Sequence, residues 1–167
     1  MNKLKKNNEM QKIYYLYCSV LIIALIGLIV SIIIQVEHRN YELHKISICS
    51  AITNSNGCEV VQTSKYGSIF GISNAIYGII GFTLIILFSI LLILKHKQII
   101  SLKNKNIITY LTISAGIAAG IIAIGFIYTQ AVILKTYCIF CLVVDISSLI
   151  LLGITIYWIY LLKQNKK

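Results

Sequence analysis

A chain of 167 residues is long enough for one domain, but 58% hydrophobic and 12% charged residues, with a mean hydropathy of +0.86, exclude a water-soluble one. Soluble domains hold about 45–50% apolar and about 25% charged residues. This chain must therefore be solvated by lipid, and the same excess excludes intrinsic disorder. The formal net charge of +10 raises nucleic acid as a partner, which the placement of the lysines argues against.

The first element follows Lys3, Lys5 and Lys6: from Ile13 to Val36 no Asp, Glu, Lys or Arg occurs. A signal peptide has a shorter core, of about 7–15 residues, and a small-residue cleavage site, which is missing here. A membrane-anchored helix is expected over about 13–36. A connection over about 37–70 follows, with mixed charge and the turn formers Asn54, Ser55, Asn56 and Gly57. The stretches Tyr66–Leu94 and Asn106–Leu134 are again free of charge, and Thr136–Leu162 holds only Asp145. Helices are expected over about 71–94, 107–134 and 137–162. Each run exceeds the about 20 residues that span a bilayer. Backbone groups in lipid must bond internally, and no alternation suggests a barrel. The expectation is an all-α integral membrane protein, a bundle of four transmembrane helices forming a single membrane domain over 1–167. Neither an internal repeat nor a second, soluble domain is visible.

Eleven of the 15 basic residues fall on one side of such a bundle: Lys3, Lys5, Lys6 and Lys12; Lys95, Lys97, Lys103 and Lys105; Lys163, Lys166 and Lys167. Arg39, Lys45, Lys65 and Lys135 fall on the other. The positive-inside rule puts both termini in the cytoplasm and the 37–70 connection outside it. The basic residues thus serve topology, and no nucleic-acid partner is expected.

Four of the five cysteines then lie on the non-cytoplasmic side, where disulfides persist: Cys49, Cys58, Cys138 and Cys141. Cys18, near the cytoplasmic end of the first helix, reads as a small packed hydrophobe. Cys138 and Cys141 form a C-x-x-C at a helix start. Their sulfurs share a face, and the partial positive charge of the helix terminus favours a thiolate, the attacking species in disulfide exchange. Four cysteines, with His38 and His44 nearby, have the ligand number for zinc, but the loop spacing is not that of a zinc knuckle, and no metal is expected. Two dithiols on one face form a relay if they can meet. A relay ending at the lipid boundary needs an apolar two-electron acceptor, and a quinone fits.

These residues resemble the vitamin K epoxide reductase family in its bacterial, quinone-coupled form. The resemblance covers about Ile48 to Ser148. It consists of Cys49 and Cys58, then Ser64, Phe70-Gly71, the segment Ser73-Asn74-Ala75-Ile76-Tyr77-Gly78, and the closing Cys138-x-x-Cys141. The DsbB type of disulfide oxidase has a similar plan but places its C-x-x-C in the first outer loop. The resemblance implies a bundle around a quinone (ubiquinone, menaquinone or a related one), with the outer loop capping the active site. It implies that Cys49 exchanges with a partner protein, that Cys58 attacks the Cys138–Cys141 disulfide at Cys138, and that Cys141 faces the quinone. Asn74 matches the family's quinone-bonding asparagine, and Ser64 a loop residue that orients the loop over the site. Asp145 departs from the family's vertebrate members, which tend to carry tyrosine there. It shares a face with the C-x-x-C, and in neutral form it could donate a hydrogen bond or a proton to the quinone. Tyr77 and Tyr137 read as pocket walls or interfacial anchors.

The expected function is a thiol oxidoreductase of the plasma (inner) membrane, oxidising a separate DsbA-like or thioredoxin-like protein and passing electrons to the quinone. Alternatives are a vitamin K epoxide or quinone reductase using the same thiols, and a non-catalytic assembly protein whose disulfides only staple the loop. A transporter would need more polar groups than Asp145, Asn74 and Gln130.

Overall fold

The computed structural model describes residues 2–43, 48–53, 56–96 and 105–164. His44, Lys45, Asn54, Ser55, Lys97, Lys103, Lys166 and Lys167 lie outside the described residues. Helix α1 (Asn2–Glu42) is followed by two short helices, α2 (Ile48–Thr53) and α3 (Gly57–Thr63). A small hairpin, β1 (Ser68–Ile69) and β2 (Ile72–Ser73), leads into α4 (Asn74–His96). Helix α5 (Lys105–Tyr128) runs into a π-helical turn (Thr129–Leu134), and α6 (Ile139–Gln164) ends the described chain. Four of the helices, α1, α4, α5 and α6, are long and apolar enough to cross a bilayer. The protein is an all-α membrane bundle, as its composition implies.

The helices do not end where the apolar stretches do. Helix α4 begins only at Asn74 and α6 at Ile139, later than the expected 71 and 137, whereas other ends run on into charged sequence. Helix α1 continues beyond Val36 through Glu37, His38 and Arg39. Apolarity marks what can lie in lipid, whereas charged residues sustain a helix equally well in water. The 37–70 connection therefore holds the last turns of α1, two short helices and a hairpin. In the hairpin Ser68 faces Ser73 and Ile69 faces Ile72. Its two-residue loop places Phe70 at φ 53 and Gly71 at φ 77. Two positive φ values in a row are what the twist of a type I′ hairpin requires. Gly71 takes up that conformation without cost, whereas Phe70 is a rare occupant and projects fully outward.

Helix α1 packs against α4 and α6, and α5 packs against the same two, which closes a ring of four. The interior is layered along the bundle. One layer is Leu16, Tyr17, Leu92, Ile113 and Trp158, with the Tyr17 and Trp158 rings edge to face at 5.1 Å. The next is Val20, Ala24, Phe82, Ile85 and Leu151. The layer at the far end contains Cys49, Cys58 and Cys138. Buried hydroxyls inside the bundle bond back to their own helices, as Ser89 does to the Ile85 carbonyl and Thr155 to that of Leu151. The outside is apolar: Ile22, Ile29, Ile121, Ile122 and Ile156 are each more than half exposed. Such a surface would drive aggregation in water, and in lipid it is the solvated face.

Candidate active site

Cys49 in α2 and Cys58 in α3 are joined by a disulfide with a Cα–Cα distance of 6.3 Å. Both are buried, and they pack directly with Cys138, which is wholly buried; Tyr41, Val61, Phe140 and Cys141 close the cluster. Two local features bring the loop pair there. The Glu37 carboxylate, fully buried near the end of α1, accepts the Ile48 N–H at 2.9 Å and so fixes the start of α2 beside Cys49. Gly57, at the start of α3, faces the Tyr137 backbone so closely that an added Cβ would fall 2.4 Å from the Tyr137 oxygen. Only glycine lets α3, and with it Cys58, approach the chain just before Cys138.

Cys138 immediately precedes α6 and acts as its N-cap. Its Sγ accepts the N–H of Cys141 at 3.3 Å, and its carbonyl accepts that of Leu142 at 2.9 Å. The spacing of the C-x-x-C thus matches a cap and the third residue of its helix. The Cys138 thiol is held below its ordinary pKa, chiefly by the hydrogen bond with the Cys141 side chain. The Cys141 and Phe140 N–H groups and the nearby Gln62 amide act in the same direction, and burial opposes them. Cys138 and Cys141 are both free thiols. On the other side of Cys138, its backbone N–H donates to Gln130 Oε1 at 3.0 Å, and Gln130 Nε2 donates to Asp145 Oδ2 at 3.1 Å. Gln130 belongs to the π-helical turn, whose wider coil rotates it inward, and it is almost fully buried. Its carbonyl accepts the Lys135 and Thr136 N–H groups, ending the turn at Lys135 with φ 51.

Beside this cluster lies a cavity with an open mouth. Ile34, Ala75, Gly78, Phe126, Leu134 and Val144 give it apolar walls from all four long helices and the π turn. Cys141, Asp145, Asn74, Gln62 and Gln130 supply its polar groups. Asn74 donates an amide N–H to the Tyr66 carbonyl, and its backbone N–H donates to Gly67 at 3.0 Å, while its buried Oδ1 has no hydrogen-bond partner. Both polar atoms of the Gln62 side chain are also buried without one. An apolar lining with a few convergent polar groups is characteristic of a small-molecule site.

Residues 18–156 match the vitamin K epoxide reductase family. The chain belongs to that family. Comparison with curated proteins gave no match. Membership makes the protein a membrane oxidoreductase, and the buried loop disulfide packed on a C-x-x-C is compatible with the thiol chemistry that the family implies.

Of the residues singled out by the resemblance to vitamin K epoxide reductases, Cys49, Cys58, Cys138 and Cys141 meet in one cluster, and Cys141, Asn74 and Asp145 reach the cavity. Ser64 does not line it. Its hydroxyl donates to the Val61 carbonyl at 2.8 Å and accepts the Tyr66 N–H at 3.2 Å, which folds the turn after α3. Tyr77 and Tyr137 are also absent from the walls; Tyr77 donates to the Ile69 carbonyl at 3.2 Å and pins the hairpin. The sequence reading passed over Glu37 and Gln62, and took Gln130 only as one of few polar residues in an apolar run. Gln130 had a usable signal, since a polar residue inside a span tends to face the bundle interior. Gln62 had only its position four residues after Cys58, on the same helix face.

Proposed function

We propose that this vitamin K epoxide reductase relative is a quinone-coupled thiol oxidase that draws electrons from a reduced DsbA-like protein outside the cytoplasm. The observation that carries this reading is the arrangement of the four cysteines. The loop disulfide packs on Cys138, and Cys141, three residues further on, lines an apolar cavity with uncommitted polar atoms. A thiol pair touching a loop disulfide on one side and a lipid-compatible pocket on the other suits a relay between a soluble dithiol and a membrane acceptor.

In this reading the partner's dithiol reduces the Cys49–Cys58 disulfide and leaves as a disulfide. The Cys58 thiolate then attacks Cys138 of a Cys138–Cys141 disulfide, displacing Cys141 as a thiolate. Cys49 attacks Cys58, which restores the loop disulfide and frees Cys138. Cys138 and Cys141 must then close again, releasing two electrons and two protons. The apolar walls and the unpartnered Asn74 and Gln62 atoms fit a quinone head group. A quinone bound there supplies a two-electron acceptor that takes up two protons. Asn74 would hold its oxygen, and Asp145, tied to Cys138 through Gln130, would hold a proton beside Cys141.

The protein would sit in the plasma membrane with both termini and the α4–α5 connection in the cytoplasm, the orientation that the lysine distribution favours. The test is quinone reduction by the purified protein in detergent, supplied with a reduced DsbA-like protein. Partner oxidation coupled one-to-one to quinone reduction is expected, and Cys138→Ala or Cys141→Ala should each abolish it. Full activity in either variant, or cysteines that stay oxidised and inert with every quinone and partner, would leave a structural bundle as the better account.

A further inference from the structure

Gln62 carries a buried carboxamide that the protein leaves without a partner. Its side chain is only 5% exposed, and neither Nε2 nor Oε1 makes a hydrogen bond. Buried polar groups in that condition are costly, so native structures keep them where something else completes the bonding. Gln62 lines the cavity together with Cys141, Asn74 and Asp145. Among those groups the Asn74 amide already donates to Tyr66, and Asp145 already accepts from Gln130. Gln62 is the one that makes a hydrogen bond at neither end, donor or acceptor, although its amide lies close enough to the Cys138 sulfur to favour that thiolate.

That pair of functions matches the chemistry of a redox couple that changes from acceptor to donor. A quinone oxygen can only accept a hydrogen bond, whereas the hydroxyl of the reduced form also donates. A carboxamide serves both, with Nε2–H for the first and Oε1 for the second. We propose that Gln62 is a head-group ligand of the cavity, its carboxamide hydrogen-bonding an oxygen of the electron acceptor in both redox states. This rests on the quinone reading above. The competing role is local: Gln62 lies near the Cys138 sulfur, and could act on that thiol alone.

The test uses the full chain in detergent, fully oxidised so that binding is read without turnover. The dissociation constants of menadione and ubiquinone-1 are measured by equilibrium dialysis for the wild type, Gln62→Leu and Gln62→Met. The unbranched methionine keeps the side-chain shape, and so keeps the test alive if the leucine variant fails to assemble. Loss of one well-made hydrogen bond predicts about tenfold weaker binding of whichever quinone the wild type prefers. In turnover, KM for that quinone should rise by a larger factor than kcat falls. Wild-type affinity in both variants, or a lower kcat at unchanged KM, would overturn the assignment and give Gln62 to Cys138. A wild type that neither binds nor reduces either quinone would overturn the functional reading itself.

Discussion

The Cys138 thiol is biased toward its anion by neighbours that can be removed one at a time. The largest contribution is the hydrogen bond with the Cys141 side chain. A lowered pKa means more thiolate at a given pH, and removing its cause should return the group toward the ordinary thiol value of about 8.5. With Cys18 replaced by alanine and the loop disulfide closed, either Cys141→Ser or Cys141→Ala leaves Cys138 as the single free thiol. Serine keeps a hydroxyl that can donate to the sulfur; alanine does not. Ultraviolet thiolate absorbance against pH should therefore show a higher midpoint in the alanine variant. Equal midpoints would remove the Cys141 side chain from the account. The four cysteines were legible in the sequence because their spacing is itself chemical information. Gln62 was not, because an amide in a polar connection has no signature until folding buries it beside a cavity.

At the scale of the element, the π-helical turn sets the register of everything after it. It turns Gln130 inward, where one amide bonds both the Cys138 backbone and Asp145. Gln130→Leu would leave a buried N–H and a buried carboxylate oxygen without these partners. The expected cost is about 1–3 kcal/mol, toward the lower end because groups inside a membrane protein find other partners when it unfolds. Denaturation from mixed detergent micelles should show a correspondingly lower midpoint. An unchanged midpoint would mean that water already bridges the three groups. The four spans were plain in the sequence, since a charge-free run longer than a bilayer has few other uses. The π turn and the short helices α2 and α3 were hidden. They depend on tertiary packing, such as the contact of Gly57 with Tyr137, and carry no periodic pattern of their own.

For the molecule as a whole, orientation is the property on which the proposed function depends most. The disulfide cluster lies at one end of the bundle, and the Tyr17–Trp158 layer lies toward the other. A membrane-impermeant maleimide should label Lys65→Cys in intact cells, and Lys163→Cys only after the membrane is opened; both positions are exposed. The opposite pattern would put the cysteine cluster in a reducing compartment and end the case for a thiol oxidase.

The sulfur of Cys138 also caps α6, and this joins electron load to helix integrity. A thiolate is a strong acceptor for the Cys141 N–H, whereas a sulfur tied into a disulfide is a weak one. Each time the pair closes, the first turn of a 26-residue helix exchanges that hydrogen bond, worth about 1 kcal/mol at ordinary caps, for a covalent S–S bridge between its cap and its third residue. The oxidised enzyme would then hold the helix start beside Gln130 and the cavity wall by a bond, and the reduced enzyme by a hydrogen bond. Redox state would be written into the backbone as a change of fastening, electrostatic while the protein is charged with electrons and covalent once it has discharged them.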